Sequence, residues 1–343
     1  TKHAVGVKAR EYLEKRGITQ KVINTFSLGF SPNSTTALVQ YLTQKKGFTK
    51  EEVVSAGLAF QGKYDVIDFF RGRLMFPLID HRDNVVGFSG RVLEGDAPSK
   101  YINTRETLIY HKGEHFYGLT VTKDAIRRTN QAIIVEGEFD VISCFENGVG
   151  NVVGVKGTAL TESQVTLLTR FAQKITFCFD GDKAGQEAIK RSLSVVEKKN
   201  ITPTVIDIPG GKDPDEALKT EPGLFKKAVS EDKGAYDYLL DQMFQARDAD
   251  TVEGKKRISD TLLPFLGNIK NEIIKEHYLR KLSSKLDTSY ESIQKELERL
   301  HTAVAAKPSV VASPKVKRSK EEVLEEYLFS LIIQHDTPVH HAH

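Results

Sequence analysis

Three groups of carboxylates recur within about 80 residues of this 343-residue chain, and each follows an apolar, β-branched run. Glu136 follows residues 132–135, with Glu138 and Asp140 close behind it. Asp180 and Asp182 follow 174–179, and Asp213 and Asp215 follow 205–209 and a Gly-Gly turn. Carboxylates gathered in one place repel one another unless a cation neutralises them. An oxygen-only donor set, without His or Cys, suits Mg²⁺ or Mn²⁺ rather than zinc. Two such ions polarise a phosphoryl oxygen, activate a hydroxyl and stabilise the leaving oxygen, which serves nucleotidyl transfer, phosphodiester hydrolysis and strand passage alike. Each cluster also has a plain structural reading. Asp-Gly-Asp is turn chemistry, Asp182 suits the N-cap of a helix starting near Ala184, and Asp213-Pro214-Asp215 suits a helix start. Three clusters at strand ends favour the metal reading where one would not. The segment Gly154-Val155-Lys156-Gly157-Thr158 lacks the spacing of a P-loop.

The elements that must position these groups alternate from residue 132 onward. Short apolar runs at 132–136, 151–155, 174–178 and 203–208 are separated by helical stretches, which predicts a parallel α/β sheet buried on both faces. Ligands bind such sheets outside the carboxyl ends of the strands, where all three carboxylate groups fall. Before this unit the pattern is mixed α+β. Two helices meet at Gly17, a longer helix runs through Ala37 to Gly47, and a hairpin is formed by 73–80 and 84–93 around His81-Arg82-Asp83-Asn84. Residues 233–301 read as a helical bundle, with a capping box at Thr288 and Glu291 opening its last helix. Residues 302–320 carry two Pro and five basic residues with no acidic one, which reads as a flexible linker. The amphipathic stretch 321–335 then reads as the first helix of a further, truncated domain in 321–343.

Composition sharpens the picture. The net charge of +3 conceals 20 basic against 13 acidic residues in 1–131, 12 against 16 in 132–232, and 17 against 17 thereafter. A basic module beside an acidic one fits a polyanion surface next to a cation site. No apolar run approaches the roughly 20 residues of a membrane span, and the beginning shows no signal peptide. Cys144 and Cys178 alone allow neither a disulfide framework nor a four-ligand zinc site, and both read as buried apolar residues. A soluble, intracellular, multidomain protein is expected.

The sequence Glu136-Gly137-Glu138-Phe139-Asp140 with Asp180-Gly181-Asp182 resembles the TOPRIM signature of bacterial primases, type IA and II topoisomerases and some nucleases. More specific are Phe179-Asp180-Gly181-Asp182-Lys183-Ala184-Gly185 and Gly211-Lys212-Asp213-Pro214-Asp215, which resemble the primase forms. Upstream, Arg71-Gly72-Arg73-Leu74-Met75-Phe76-Pro77, Gly87-Phe88-Ser89-Gly90-Arg91, Lys100-Tyr101-Ile102-Asn103 and His111-Lys112-Gly113 resemble primase motifs too. With Arg16-Gly17, Leu28-Gly29-Phe30 and 276–282, the resemblance to the polymerase core of DnaG-type bacterial primases covers about residues 1–300.

That resemblance implies an α/β fold of three parts: a basic α+β subdomain at 1–131 for template and nucleotide, a TOPRIM parallel α/β sheet at 132–232, and the bundle at 233–301. It implies Mg²⁺ or Mn²⁺, two or more ions and no zinc, held by Glu136, Asp140, Asp180, Asp182, Asp213 and Asp215. Glu136 is either a ligand or a proton-transfer group, and Glu138 is expected at the surface. Arg71, Arg73, Arg91, Lys100 and Lys112 are implied to contact template phosphates or triphosphate. Tyr101 and Asn103 lie near base or sugar, or serve packing and turns, and His111 reads as structural. The implied activity is RNA primer synthesis on single-stranded DNA from ribonucleoside triphosphates, in the cytoplasm at the replication fork. The implied partners are the replicative helicase, through the largely missing last domain, and single-strand-binding protein, with a monomeric core. No Cys/His set stands at the start where the family carries a zinc-binding domain, so a catalytic-core fragment is expected. The competing reading is a TOPRIM nuclease or topoisomerase fragment; a non-catalytic nucleic-acid-binding scaffold is a second, disfavoured by the full set of carboxylates.

Overall fold

The computed structural model describes residues 4–93, 99–156, 160–199, 201, 203–208, 213–245 and 250–306. The chain opens with α1 (Val7–Lys15) and α2 (Gln20–Thr25). Gly17, at φ +76°, makes the left-handed turn between them, and Thr19 caps α2 by accepting from Val22 N–H. After β1 (Gly29–Ser31), helix α3 (Ala37–Gln40) continues as a π-helical segment, Tyr41–Lys45. The expected single long helix is therefore two short pieces of different pitch. Next come α4 (Lys50–Ser55), with a Thr49–Glu52 capping box, and the small hairpin β2 (Ala59–Gln61) and β3 (Val66–Asp68). The predicted hairpin is β4 (Arg73–Ile79) and β5 (Val85–Val92), followed by β6 (Tyr101–Asn103). These strands form an antiparallel sheet in the order β1-β4-β5-β6.

Helix α5 (Leu119–Thr129) leads into the α/β unit: β7 (Gln131–Val135), α6 (Glu138–Glu146), β8 (Val152–Gly154), α7 (Glu162–Leu168), β9 (Lys174–Phe177), α8 (Lys183–Glu197) and β10 (Thr204–Val205). Then follow α9 (Pro214–Thr220), α10 (Pro222–Ser230) and β11 (Lys233–Gly234). The sheet order is β11-β10-β9-β7-β8. Strands β7 to β10 pair in parallel as predicted, whereas β11 pairs antiparallel with β10. The chain leaves β7 for β8 on one side and returns to β9 on the other. The strand order thus reverses between β7 and β9, which opens a crevice at their carboxyl ends.

The two sheets do not bury separate cores. Leu74, Phe76 and Leu78 of β4 belong to one hydrophobic cluster with Ile133 and Val135 of β7, Ile142 of α6 and Phe225 of α10. Phe76 is fully buried, and its ring meets Tyr117 and Phe139 edge-on at 6.1 and 5.4 Å. A separate small cluster, Val39, Val53, Ala59 and Val66, holds α3, α4 and the β2–β3 hairpin together.

Helices α11 (Ala235–Gln245), α12 (Val252–Gly267) and α13 (Glu272–Lys285) form the predicted bundle, and Tyr236 ties it to α8 by donating to Glu197 at 2.5 Å. Two expectations change here. Asp287 turns left-handed (φ +49°) with Thr288 N–H donating to Ser283 O, and the next helix begins at Tyr290, so Ser289 rather than Thr288 is the residue whose side chain accepts at its start, from Ser292 N–H. That helix, α14 (Tyr290–Ala306), runs through the first five residues of the predicted linker. The rest of the linker and the segment 321–343 lie outside the described residues. The chain divides into two units, 1–293 and 294–343. Among the described residues no helix is long and apolar enough to cross a membrane.

Because the core is shared, Phe76→Ala is expected to cost about 3–5 kcal/mol. It should lower amide-exchange protection in β7 as well as in β4. Loss of protection confined to the antiparallel sheet would show that the two parts are stabilised independently.

Candidate active site

The crevice at the ends of β7 and β9 has a volume of about 380 Å³. Glu136 is the first residue beyond β7, and its Oε1 accepts from Asp180 N–H at 3.3 Å, which ties the two strand ends together. Asp140, in the first turn of α6, reaches back to Gly137 N–H at 2.8 Å. Gly185 follows Asp180-Gly181-Asp182-Lys183-Ala184 for a steric reason, since a Cβ there would collide with the Asp180 carbonyl. Asp182 is exposed, caps α8 by accepting from Gly185 N–H at 2.8 Å, and stands outside the crevice lining. Asp213 caps α9 through Glu216 N–H at 2.6 Å and does line the crevice. Asp215 is buried and committed. Its Oδ2 lies 2.6 Å from Arg16 and 2.5 Å from Lys219, and its Oδ1 accepts from Ser143 Oγ. The cap readings of Asp182 and Asp213 are thus realised, and only Asp213 of the two also lines the crevice.

Charge is held here against its own preference. Burial, with the charges of Asp213 and Asp180, pushes the Asp140 carboxyl up to about 8. Burial, with Glu136, Asp213 and Asp182, raises Asp180 to about 7. Burial and Asp182 also raise Glu136, even though the Asp180 N–H works in the opposite direction. Asp215 goes the other way. Burial alone would raise it, but the Lys219 and Ser143 hydrogen bonds and the Arg16 charge hold it below the usual range.

This donor set fits divalent cations. It is all oxygen, and among the described residues no Lys, Arg or His forms an ion pair with Glu136, Asp140, Asp180 or Asp213. Among the described residues, no three carboxyl, imidazole or thiol groups are arranged to enclose an ion. An Mg²⁺-type site is open in that way, because the ion keeps several waters and takes one or two carboxylates plus substrate phosphates.

The facing wall is basic and aromatic. The buried Arg91 guanidinium lies 4.9 Å from the Phe139 ring centroid, 5.1 Å from that of Tyr12 and 5.5 Å from that of Tyr101. Arg16 covers the Phe139 ring at 4.2 Å. Lys100, Asn103 and Lys112 also line the crevice, whereas Arg71 and Arg73 do not. Arg71 is exposed, and Arg73 is buried, donating to the carbonyls of Gly90, Ser99 and Lys100. His111 pairs with Glu106 at 2.9 Å, away from the carboxylates.

The expectation for Glu138 is corrected. It is buried in the crevice wall, not at the surface, because Lys156 lies 2.6 Å from its Oε1. Burial opposes the charge on Glu138, but Lys156 keeps its carboxyl below the usual range. Glu138, Lys156, Phe139 and Arg16 are site residues to which the sequence reading gave no role. Arg16, Glu138 and Phe139 stand in motifs quoted from the sequence, whereas Lys156 carries no such signal.

Three family models match the chain: the N-terminal domain of the DNA primase catalytic core over residues 1–123, a Toprim-like domain over 133–218, and the DnaB-helicase binding domain of primase over 236–289. The last match falls on the α11–α13 bundle, upstream of the segment 321–343 where the sequence reading had put the helicase contact. The chain is 33% identical over 339 residues to the DNA primase of Clostridium acetobutylicum, which covers 96% of this chain and 56% of that protein. It spans about half the length of the curated relatives it matches. A DNA primase domain from Pseudomonas aeruginosa has the same fold, with a TM-score of 0.76 at 31% identity over 87% of this chain and 94% of that one. So does a DnaG primase catalytic domain bound to ssDNA, with a TM-score of 0.73 at 30% identity over 85% and 92% of the respective chains. The chain belongs to the DnaG-type bacterial DNA primase family.

Proposed function

We propose that this chain is a primer-synthesising core, which joins ribonucleotides on a single-stranded DNA template in the bacterial cytoplasm. The observation that carries the reading is the confrontation, across one crevice, of carboxylates that need a cation and a basic, aromatic wall suited to a nucleotide. A structural neighbour of the same fold bound to ssDNA supports the template assignment. The competing nuclease or topoisomerase reading leaves the first 131 residues, and the wall they build, without a purpose.

Residues 1–131 are assigned to template and nucleotide binding, 132–232 to metal binding and chemistry, and 233–301 to the bundle, with the replicative helicase docking within 236–289. Glu136, Asp140, Asp180, Asp182 and Asp213 would hold Mg²⁺ or Mn²⁺, with Asp215 setting the position of α9 and Arg16. The bound ions would lower the pKa of the attacking 3′-hydroxyl and offset charge on the triphosphate. The protein's own part is positioning. Arg91, fixed between three rings, presents a guanidinium that cannot swing away. Lys100 and Lys112 are freer and suit phosphates of template or triphosphate. One Glu136 oxygen is engaged by Asp180 N–H, which leaves the other for an ion or for the hydroxyl proton. Arg73 also holds the ends of β5 and β6, and the exposed Arg71 is offered to template phosphates outside the crevice.

Incubation with single-stranded DNA, ribonucleoside triphosphates and Mg²⁺ or Mn²⁺ should give short RNA products. Asp180→Asn should reduce their yield by about 10²-fold or more with the fold intact. Nicked or relaxed DNA in place of RNA would establish the competing reading.

The carboxylates also predict a pH dependence. The folded protein keeps protons on Asp140 and Asp180 up to about 8 and 7, whereas the unfolded chain releases them near 4. Their contribution is therefore full below about pH 4 and is lost as the pH climbs through 8. In the presence of a chelator, the unfolding midpoint should fall between pH 5.5 and 8.5, Mg²⁺ should restore it most at the alkaline end, and Asp140→Asn should flatten the fall. A midpoint indifferent to Mg²⁺ at pH 8.5 would remove the cation assignment.

A further inference from the structure

A buried ion pair in the crevice wall reaches across to a crevice-lining amide. Lys156 stands two residues beyond β8, Glu138 opens α6, and their side chains are only 9% and 6% exposed. Lys156 Nζ lies 2.6 Å from Glu138 Oε1 and donates to Asn103 Oδ1, also at 2.6 Å. Asn103 is the last residue of β6, so this contact crosses from the antiparallel sheet to the parallel one. An ammonium carries donors only. The face of the Asn103 carboxamide turned to Lys156 must therefore be its oxygen, and the NH₂ group must face the other way. No described residue accepts a hydrogen bond from that NH₂, and Asn103 lines the crevice. Tyr101, two residues earlier on the same face of the strand, lines it as well. A buried ion pair adds little stability over an apolar pair of the same shape, so its presence here calls for a purpose other than stability.

We propose that Lys156, held by Glu138, is a positioning residue that locks the Asn103 carboxamide with its NH₂ aimed into the crevice, as a neutral donor to an oxygen of the bound nucleotide. The inference rests on the primer-synthesis reading. The recognised chemistry is an acceptor oxygen on the nucleoside triphosphate, supplied either by the ribose 2′-hydroxyl or by a phosphate. Without the lock the amide is free to turn its oxygen toward the substrate, where it repels the same acceptor.

The test uses the whole chain on a single-stranded DNA template. In Glu138→Leu/Lys156→Met both charges leave together, so neither is stranded. In Asn103→Ala the ion pair stays intact and the donor is removed, which keeps the test open should the double variant fail to fold. Each is expected to raise KM for ribonucleotides about three- to tenfold, the effect of one hydrogen bond, with kcat within about twofold. Because both act on the same bond, the triple variant should be no worse than either. If KM for deoxyribonucleotides is unchanged, the acceptor is the 2′-hydroxyl; if it rises in parallel, the acceptor is a phosphate oxygen. The lock is overturned if the folded double variant, or Asn103→Ala, keeps the wild-type KM, or if the two effects multiply. Absence of RNA synthesis by the wild-type chain would instead count against the primer-synthesis reading itself.

Discussion

Carboxylates at the carboxyl ends of β7 and β9 repel one another, and the surrounding structure has to hold them together regardless. The reversal of strand order places Glu136 and Asp180 side by side, and a backbone hydrogen bond from one to the other keeps them there. The first turn of α6 and the N-cap of α9 bring Asp140 and Asp213 into the crevice, and Asp182, the N-cap of α8, stands at its exposed edge, each fixed by a backbone N–H. Those hydrogen bonds position the side chains without neutralising them. The repulsion is left to be relieved by protons on Asp140 and Asp180 or by a bound cation that displaces them.

Asp215 is the counterexample within the same crevice. Paired with Arg16 and Lys219 and hydrogen-bonded to Ser143, it joins α1, α6 and α9 and is content without a cation. Arg16 also lies over Phe139, whose ring touches Phe76 of the shared core. Packing and electrostatics are therefore coupled. The interior that fuses the two sheets also fixes the basic wall opposite the acidic strand ends, and a change in that interior would move one wall relative to the other.

The parallel sheet, the β4–β5 hairpin and the bundle were legible in the sequence because each rests on a periodic apolar pattern of sufficient length. Strand β11, two residues long, has no pattern to read. The π-helical segment after α3 depends on local hydrogen bonding that composition does not encode. The cap falls on Ser289, one position beyond Thr288, because the left-handed turn at Asp287 delays the helix start to Tyr290, and adjacent Thr and Ser offer the same capping oxygen to a sequence pattern. In the site, the carboxylates were visible through their place at strand ends. The structural part of Arg73 was not legible, because a basic residue at the start of a strand reads the same whether it faces solvent or, as here, backbone carbonyls. Glu138 and Lys156 were invisible as a pair, since residues 18 apart on different elements meet only through the fold.

On the proposed reading, the carboxylates at the ends of β7 and β9 form a cation site completed by a nucleoside triphosphate. Anomalous diffraction from crystals grown with Mn²⁺ and a ribonucleoside triphosphate tests it most directly. Mn²⁺ peaks are expected among Glu136, Asp140, Asp180 and Asp213, with the triphosphate lying between them and Arg91. Peaks elsewhere on the molecule, or a triphosphate bound without metal at these carboxylates, would contradict it.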